Sequence, residues 1–149
     1  LRTISFKKKS FLKKFNPKKI INEEIKQSIY KISFYRSMMS KIDIKKKKLL
    51  VKIKNLKEKK YTIAGVGAGA KANTFLTYYN LNNKIIDFLT DNSKYKQNKI
   101  TPVTRIIIKD DNEIKKYKKI ACIILSWNIN NLIIKKIKKL NKKAKFIYT

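Results

Sequence analysis

The sequence predicts an α/β domain with a mainly parallel sheet in three layers, preceded by a helical connector. Strands and amphipathic helices alternate over residues 61–149, which is the pattern of a parallel sheet with crossover helices. An apolar strand at residues 61–66 runs directly into the glycine-rich stretch GVGAGA and then into a helix. Residues 1–60, by contrast, are rich in lysine and contain no glycine. This change in composition divides the chain between residues 60 and 61.

The connector is predicted to be helical from residue 16 to residue 60. Its apolar residues recur every three or four positions and form a stripe along one face, which contains Ile21, Ile25, Ile29, Ile32 and Tyr35. Asn22, followed by two glutamates, suits the start of a helix. The stretch LRTISF at the beginning of the chain has the composition of a strand.

Residues 61–149 contain five predicted strands and three predicted helices. The strands cover residues 61–66, 84–90, 105–109, 120–125 and 145–148, and the helices cover residues 70–79, 112–117 and 130–140. The run at 120–125 is continuously apolar, which is typical of a parallel strand buried on both faces. The last helix carries Leu132, Ile133, Ile137 and Leu140 on one side, so it is expected to pack on the sheet.

The net charge is +30, from 39 Lys and Arg against 9 Asp and Glu. Such a charge favours anionic partners. Only Arg2, Arg36 and Arg105 are arginines, however, and the planar guanidinium binds phosphates and base edges better than an ammonium does. The lysines are spread over the whole chain beside many Asn and Ile residues, and these three residue types share A/T-rich codons. We therefore attribute the charge to genome composition and expect no specific nucleic-acid partner.

The residue types that are absent or rare exclude several chemistries. The chain contains no histidine, which removes the commonest general base and a common metal ligand. Its single cysteine, Cys122, lies in the apolar run IACIIL and is expected to be buried, in keeping with a reducing, cytoplasmic environment. No apolar stretch approaches the ~20 residues of a membrane span, so no membrane partner is expected. No catalytic or metal-binding residue is predicted in this chain.

The glycine-rich stretch fits a dinucleotide-type loop better than a P-loop. In the P-loop pattern G-x-x-x-x-G-K-[ST] counted from Gly65, Ala70 replaces the second glycine and Ala72 replaces the hydroxyl that binds Mg²⁺. GVGAGA matches the pattern G-x-G-x-x-[GA] of Rossmann-like domains, and it lies between a strand and a helix as that pattern requires. Asp87 and Asp91 are both suitably spaced for the acidic residue expected after the second strand. A tight turn that binds no ligand remains an alternative.

Two further loops, at residues 90–102 and 126–128, are expected at the same edge of the sheet as the glycine loop. Ligands of open α/β sheets bind at the carboxyl ends of the strands. The backbone amides, lysines, aromatic ring and amide side chains of these loops suit a ligand that carries phosphates and a ring. The predicted substrate-binding residues are Gly65, Gly67, Gly69, Lys71, Asp91, Tyr95, Lys96, Gln97, Thr101, Pro102, Trp127 and Asn128.

Three stretches of residues 61–148 together resemble a known family. IAGVGAGAKANTFLTYYNL, IDFLTDNSKYKQNKITPVTRI and ILSWN are similar, in this order and spacing, to the C-terminal domain of SAM-dependent C-methyltransferases that act on nucleotide-linked deoxysugars. LRTISF is similar to the strand that closes the methyltransferase domain of that family. Two departures stand out. Ala72 and Asn73 replace the final glycine of the loop ending GAxAKG, and KQNKITPVT stands for KQGRYTPGT, which predicts a less mobile or differently turned loop.

The resemblance implies a division of roles between domains. It implies that residues 61–149 form a Rossmann-like C-terminal domain that holds a nucleotide-linked deoxysugar and packs on a SAM-binding domain. Residues 1–60 then correspond to the end of the methyltransferase domain and the connector. S-adenosylmethionine, zinc and the catalytic His and Glu are implied for the other domains. Because the chain begins with Leu1 rather than Met, we expect a fragment of a longer enzyme that is inactive by itself.

Two other functions remain open at this stage. A stand-alone NAD(P)-binding oxidoreductase domain would use the glycine loop, but the chain has no evident substrate domain and no obvious Tyr/Lys or His catalytic pair. A lysine-rich nucleic-acid-binding module would use the charge, but the chain contains no recognisable nucleic-acid motif.

Overall fold

The computed structural model describes residues 16–148, so the predicted strand LRTISF lies outside the described residues. The chain divides into two compact units, one up to Ile44 and one from Lys45 onward. The helices are α1 (Pro17–Lys26), α2 (Ile32–Glu58), α3 (Ala70–Tyr78) and α4 (Asn130–Leu140), with 3₁₀ helices at Asp111–Lys116 and Trp127–Ile129. The strands are β1 (Thr62–Val66), β2 (Phe88–Thr90), β3 (Ile108–Lys109), β4 (Ile120–Ile124) and β5 (Lys145–Ile147).

The first unit contains α1 and the beginning of α2. The helix predicted from residue 16 is confirmed at this end, because α1 begins at Pro17 and the Asn16 side chain accepts a hydrogen bond from the Lys18 backbone N–H at 3.1 Å. Asn22, which also suits a helix start, lies inside α1. An Asn cap followed by Pro at the first helical position is a stronger start signal than Asn22. The predicted continuous helix is interrupted between α1 and α2, where Ser28 has a φ of 58°. α1 buries none of its described residues, and its apolar stripe stays about half exposed.

The second unit contains a five-stranded sheet in the order β3-β2-β1-β4-β5. All four strand pairs are parallel, which confirms the predicted α/β fold with a mainly parallel sheet. β1 lies at the centre, with Ala64 in register with Phe88 on one side and Cys122 on the other. The chain builds the sheet outward from β1 in one direction and then returns to add β4 and β5 on the other side. The carboxyl ends of β1 and β4 therefore flank the switch point of the topology.

The two faces of the sheet are covered by different helices. Ile63 and Leu89 belong to an apolar cluster with α3 and with the second half of α2, from which Leu49 and Ile53 are buried. Ala64, Val66 and Phe88 belong to a second cluster, which includes Ile114 of the first 3₁₀ helix and Ile137 of α4. Neighbouring residues of a strand point to opposite faces, so β1 contributes to both clusters and the domain has three layers. Cys122 is fully buried in the second cluster, as the sequence predicts.

Three predicted elements differ from the observed ones. β2 begins at Phe88 rather than at residue 84, because the N–H groups of Ile85 and Ile86 bond to the Asn82 carbonyl and form a turn. β3 begins at Ile108 rather than at residue 105, because the preceding residues fold back within their own loop. The predicted helix at 112–117 is a 3₁₀ helix that begins at Asp111. The other strands, together with α3 and α4, begin and end within one residue of their predicted bounds.

Candidate ligand site at the carboxyl edge of the sheet

Gly65 and Gly69, at the two ends of the loop between β1 and α3, have different structural roles. Gly65 is buried inside β1, and a β-carbon there would lie 2.8 Å from Leu125 Cδ1 and would also overlap Leu89. Gly65 is therefore required by packing across the sheet. Gly69 is the N-cap of α3, has a φ of −89°, and has no heavy atom within 4 Å of the place where a β-carbon would lie. The space beside the amino end of α3 is therefore open.

Gly67 forms the tight turn of the loop. Its φ is +98°, a backbone conformation that L-residues rarely adopt. A β-carbon on Gly67 would overlap Ser126 Oγ, from the loop that follows β4. The Gly67 N–H donates to the carbonyl of Thr90 at 2.8 Å. The space that the missing side chain leaves at Gly67 is thus occupied by Ser126 of the same chain.

Asp91 follows β2, at the position where a dinucleotide-binding domain carries the acid that binds ribose hydroxyls. Its Oδ2 accepts a hydrogen bond from the Ala68 backbone N–H at 2.9 Å and pairs with Lys96 Nζ at 3.1 Å. Its Oδ1 accepts from the Ser93 N–H at 2.9 Å. The other candidate acid, Asp87, accepts from the Ile63 N–H at 2.7 Å. Both carboxylates are thus engaged within the protein, which disfavours an NAD(P)-binding site of the usual kind.

The environment of Asp91 favours its charged form. Burial by itself raises the pKa of Asp91, but the hydrogen bonds from the Ser93 and Ala68 N–H groups, together with Lys96, lower it further than burial raises it. The pKa of Asp91 therefore lies below its ordinary value, and the carboxylate stays ionised at neutral pH. The hydrogen bond from the Ala68 N–H to Asp91 holds the loop after β2 against the loop after β1.

The loop between β2 and β3 uses most of its predicted site residues for its own structure. Gln97 Nε2 donates to the Asp91 carbonyl and to Asp110 Oδ2, both at 3.0 Å. Thr101 is buried, and its hydroxyl accepts from the Ile106 N–H at 2.9 Å and lies 2.7 Å from the Thr104 hydroxyl. Tyr95 and Pro102 are exposed to solvent, although the Pro102 carbonyl accepts a hydrogen bond from the Thr104 N–H at 2.6 Å.

Asn98 and Val103 stand where the related sequence KQGRYTPGT has its two glycines. Both residues have a φ of 63°, in the left-handed region that glycine adopts without strain. Asn tolerates this region, whereas a β-branched residue does so at a cost. The Asn98 N–H bonds to the Ile108 carbonyl at 2.8 Å. The loop therefore keeps a glycine-like backbone at the two positions where the sequence comparison predicts a different turn.

Lys71 and Trp127 border a surface groove of about 320 Å³ on the α3 side of the sheet. We call this the aromatic groove, and its lining consists of Lys71, Thr74, Phe75, Tyr78, Tyr79 and Trp127. Trp127 is 43% exposed, and its ring centroid lies 6.5 Å from that of Phe75. Lys71 lies in the first turn of α3, next to the open space at Gly69. Asn128 is exposed beside Trp127.

A second cavity, of about 190 Å³, lies at the same edge of the sheet beside α4. We call it the edge cavity. Its polar lining consists of Gly67, Thr90, Asp91, Asn92, Asp111, Ser126 and Lys136, and its apolar lining includes Ile129, Ile133 and Ile137. Gly67 and Asp91 are the only predicted site residues that line it. Ser126 and Trp127 are adjacent in sequence, yet Ser126 lines the edge cavity and Trp127 the aromatic groove.

Sequence reasoning did not select Asp111 and Lys136 as site residues. Lys136 Nζ lies 2.5 Å from Asp111 Oδ2 and also donates to Asn92 Oδ1. A signal for Asp111 existed, because it lies two residues after β3 and parallel strands bring such residues to the same edge as the glycine loop. The signal for Lys136 was weaker, since a lysine between Ile133 and Ile137 on an amphipathic helix is usually a solvated residue.

Residues 16–148 include no group of three or more His, Cys, Asp or Glu side chains that could hold a metal ion. None of their helices is both long and apolar enough to cross a membrane.

The parallel sheet, the glycine turn between β1 and α3 and the loops gathered at the carboxyl edge define a Rossmann-like α/β domain. Residues 3–149 match the C-methyltransferase C-terminal domain family, and the chain belongs to that family. The match confirms the resemblance inferred from the three sequence stretches. A separate comparison with curated proteins found no match.

Proposed function

We propose that this chain is the substrate-holding domain of a SAM-dependent C-methyltransferase and that it binds a nucleotide-linked deoxysugar at the carboxyl edge of its sheet. Membership of the C-methyltransferase C-terminal domain family supports the enzyme class. The proposal assigns the diphosphate of the ligand to the amino end of α3 and one of its rings to the aromatic groove. Methyl transfer itself is assigned to other parts of the enzyme.

The observation that carries this proposal is the open, uncapped amino end of α3. Its N-cap, Gly69, has no side chain that could accept hydrogen bonds from the first N–H groups of the helix. The space where such a side chain would lie is empty. The first N–H groups of a helix lack intrahelical partners and carry a partial positive charge, so this end favours an anion. Lys71, in the first turn, adds a cation at the same end.

The aromatic groove supplies a complementary surface for a ring. Trp127 and Phe75 line one groove with Lys71, and their ring centroids lie 6.5 Å apart. Aromatic side chains stack on bases and pack on the C–H faces of sugars, and such stacking contributes roughly 1–3 kcal/mol per base. A ligand that carries both a diphosphate and a ring would therefore contact two adjoining features of α3.

The residues of this chain do not fit S-adenosylmethionine or NAD(P) at the glycine loop. The acid that such cofactors need after the second strand is Asp91, and it already binds Ala68, Ser93 and Lys96. We therefore propose that the methyl donor binds elsewhere in the enzyme. We likewise propose that the zinc module and the catalytic bases belong to other domains of the enzyme. We also propose that this chain is a fragment of that enzyme and that its location is cytoplasmic. The half-exposed apolar stripe of α1 supports packing on a further domain.

The test is the pair of variants Gly69→Asp and Gly69→Ala. Gly69 has a φ that any residue adopts and open space for a side chain, so both variants should fold. The Asp carboxylate would cap α3 and raise the free energy of unfolding by a few tenths to ~1 kcal/mol. The same carboxylate would repel a diphosphate and weaken its binding by about tenfold, or ~1.4 kcal/mol. Gly69→Ala should change binding far less.

The measurement is a two-dimensional ¹⁵N NMR titration of the whole chain with uridine diphosphate and thymidine diphosphate. We expect the amide signals of Gly69 and Ala70 and the indole signal of Trp127 to shift. Urea unfolding followed by circular dichroism supplies the stabilities. If these signals stay in place, or if Gly69→Asp binds the diphosphates as well as the parent chain, the amino end of α3 is not the site.

A further inference from the structure

A cleft of about 290 Å³ is lined by α2 together with the residues that follow α3 and β5. We call it the basic cleft, and its described lining consists of Lys45, Lys48, Leu49, Lys52, Tyr79 and Tyr148. All of these residues belong to the second unit of the chain. The basic cleft therefore combines three ammonium groups with two aromatic rings, and no carboxylate is among the described residues that line it.

The lysines of the basic cleft form a row along one side of α2. Lys45, Lys48 and Lys52 are three and four residues apart, which places them on the same side of a helix. At 1.5 Å per residue, the row extends for ~10 Å along the helix axis. Leu49 is buried in the apolar cluster on this face of the sheet. The row is therefore attached to a packed part of the domain.

The three ammonium groups of the row form no ion pair with the described residues. The stretch 44–57 contains seven lysines and no Asp or Glu. The lysines that do form ion pairs are Lys57, Lys96, Lys109, Lys116 and Lys136. Lys46, beside the row, donates to the Tyr78 carbonyl at 2.6 Å. Like charges at the spacing of the row repel each other and destabilise a helix, so an anion from outside the chain would relieve this repulsion.

The two tyrosines of the basic cleft differ in exposure. Tyr79 is 7% exposed, and its ring stacks on that of Phe75 with the centroids 4.1 Å apart. Tyr148 is 63% exposed. An exposed aromatic ring next to a line of cations is the combination with which proteins bind single-stranded nucleic acid, because the cations bind phosphates and the ring stacks on a base.

A second row of lysines has the same spacing but no ring beside it in the sequence. Lys135, Lys138 and Lys142 are exposed, and they lie on α4 and just after it. The stretch 135–142 contains no aromatic residue. α2 and α4 pack on opposite faces of the sheet. The second row therefore carries the same charge on a different surface of the domain.

We propose that the basic cleft is a binding surface for single-stranded nucleic acid and that it does not discriminate between sequences. The lysines of the row contact successive phosphates, and Tyr148 stacks on one base. A strand rises ~3.4 Å per nucleotide, so the row spans about three nucleotides. Ammonium contacts to phosphates carry no sequence information. An acidic peptide offers anions without bases, and the bases of a duplex are already stacked on one another, so a single strand fits the cleft best.

This inference goes beyond the proposed function and does not depend on it. Tyr79 lines both the basic cleft and the aromatic groove, whereas the lysine row and Tyr148 line the basic cleft alone. Variants of the row and of Tyr148 therefore leave the amino end of α3 and the aromatic groove unchanged. Binding of a nucleoside diphosphate at Gly69 and binding of a strand at the basic cleft can each fail while the other holds.

The first test compares two triple variants of the whole chain that remove the same number of charges. The cleft variant carries Lys45→Gln, Lys48→Gln and Lys52→Gln, and the control variant carries Lys135→Gln, Lys138→Gln and Lys142→Gln. Fluorescence anisotropy follows the binding of a fluorescein-labelled oligothymidylate between about 50 and 200 mM salt. The cleft variant should bind about tenfold more weakly or worse, and the steepness of its log–log salt dependence should fall by about 2, since each phosphate contact of a single strand contributes ~0.7. The control variant should change both quantities far less.

The second test is Tyr148→Leu, which keeps an apolar side chain and removes the ring. Stacking on one base is lost, so affinity for the single strand should fall by about fivefold or more. Affinity for a duplex of the same length should stay unchanged, because its bases offer no free face to the ring. Circular dichroism establishes that each variant folds like the parent chain.

Three results would overturn the inference. Equal losses of affinity in the cleft and control variants would show that the diffuse charge of the chain binds the strand. Undiminished binding of the single strand by Tyr148→Leu would show that no base stacks in the cleft. If polyglutamate displaces the strand equally well at the same concentration of charge, the surface belongs to an acidic polypeptide instead.

Discussion

Asp91 Oδ2 accepts a hydrogen bond from the Ala68 backbone N–H at 2.9 Å, and this contact joins the loop after β2 to the glycine loop after β1. The acid expected to bind a ribose therefore stabilises the glycine loop itself. Lys96 pairs with the same oxygen at 3.1 Å, and Ser93 bonds to the other oxygen. The carboxyl edge is thus preorganised by contacts within the protein.

The Asp91 contacts predict a specific loss of stability in acid. The pKa of Asp91 lies below its ordinary value of 3.8, so its contribution to folding is fully present above that value and is lost as the pH falls through the lower, folded-state pKa. Asp91→Asn should lower the free energy of unfolding at pH 7 by about 1–3 kcal/mol and make it less dependent on pH below 4. Urea unfolding between pH 2 and pH 7 measures both effects.

Lys96→Ala is the control for the Asp91 prediction. The Lys96 side chain is 43% exposed, and an exposed ion pair contributes only about 0–1 kcal/mol. If Lys96→Ala costs as much as Asp91→Asn, the ion pair rather than the backbone hydrogen bonds stabilises the loop.

Gly67→Ala should destabilise the domain by about 2 kcal/mol or more, because an L-residue at a φ of +98° is strained and its β-carbon overlaps Ser126 Oγ. The double variant Gly67→Ala with Ser126→Gly should recover the stability that is lost through the overlap but not the stability that is lost through backbone strain. Thermal unfolding of the parent, the two single variants and the double variant gives the coupling. Strict additivity would mean that Ser126 does not limit the space at Gly67.

Val103→Gly should stabilise the domain by about 0.5–1 kcal/mol. Val103 has a φ of 63° and is 79% exposed, so glycine relieves backbone strain there and little packing is lost. Val51→Gly is the matched control, since Val51 is 58% exposed in the interior of α2. That substitution should destabilise by about 0.5–1 kcal/mol, because glycine is a poor helix former. Equal effects of the two changes on the unfolding midpoint would show that Val103 is not strained.

Cys122 should not react with thiol reagents in the folded chain. It is 0% exposed, and burial together with nearby Asp111 raises the pKa of its thiol to about 12, so almost no thiolate is present at pH 8. Reaction with a colorimetric disulfide should therefore follow unfolding, with a rate that rises across the urea transition. The chain in concentrated urea is the control and should react completely at its single cysteine. Rapid reaction without urea would contradict the position of Cys122 in the core.

The amino-acid sequence by itself determined the class of fold and the family. The continuously apolar run at β4, the alternation of strands and helices and the glycine turn between β1 and α3 are local patterns, because strand and helix periodicity are properties of neighbouring residues. The three stretches that carry the family resemblance are likewise read directly along the chain. The helix start at Asn16 and Pro17 is likewise a local signal, because an Asn cap followed by Pro is read directly along the chain.

Only the tertiary structure decided which side chains meet at the carboxyl edge. Asp111 and Lys136 are 25 residues apart, and they pair because the first 3₁₀ helix and α4 cover the same face of the sheet. Ser126 fills the space over Gly67 because β4 lies directly beside β1, although β2 and β3 intervene in the sequence. Asp91 binds Ala68 for the same reason, since β2 is the other neighbour of β1. Such contacts depend on strand order and register, which bring together residues that no local pattern of charge or hydrophobicity connects.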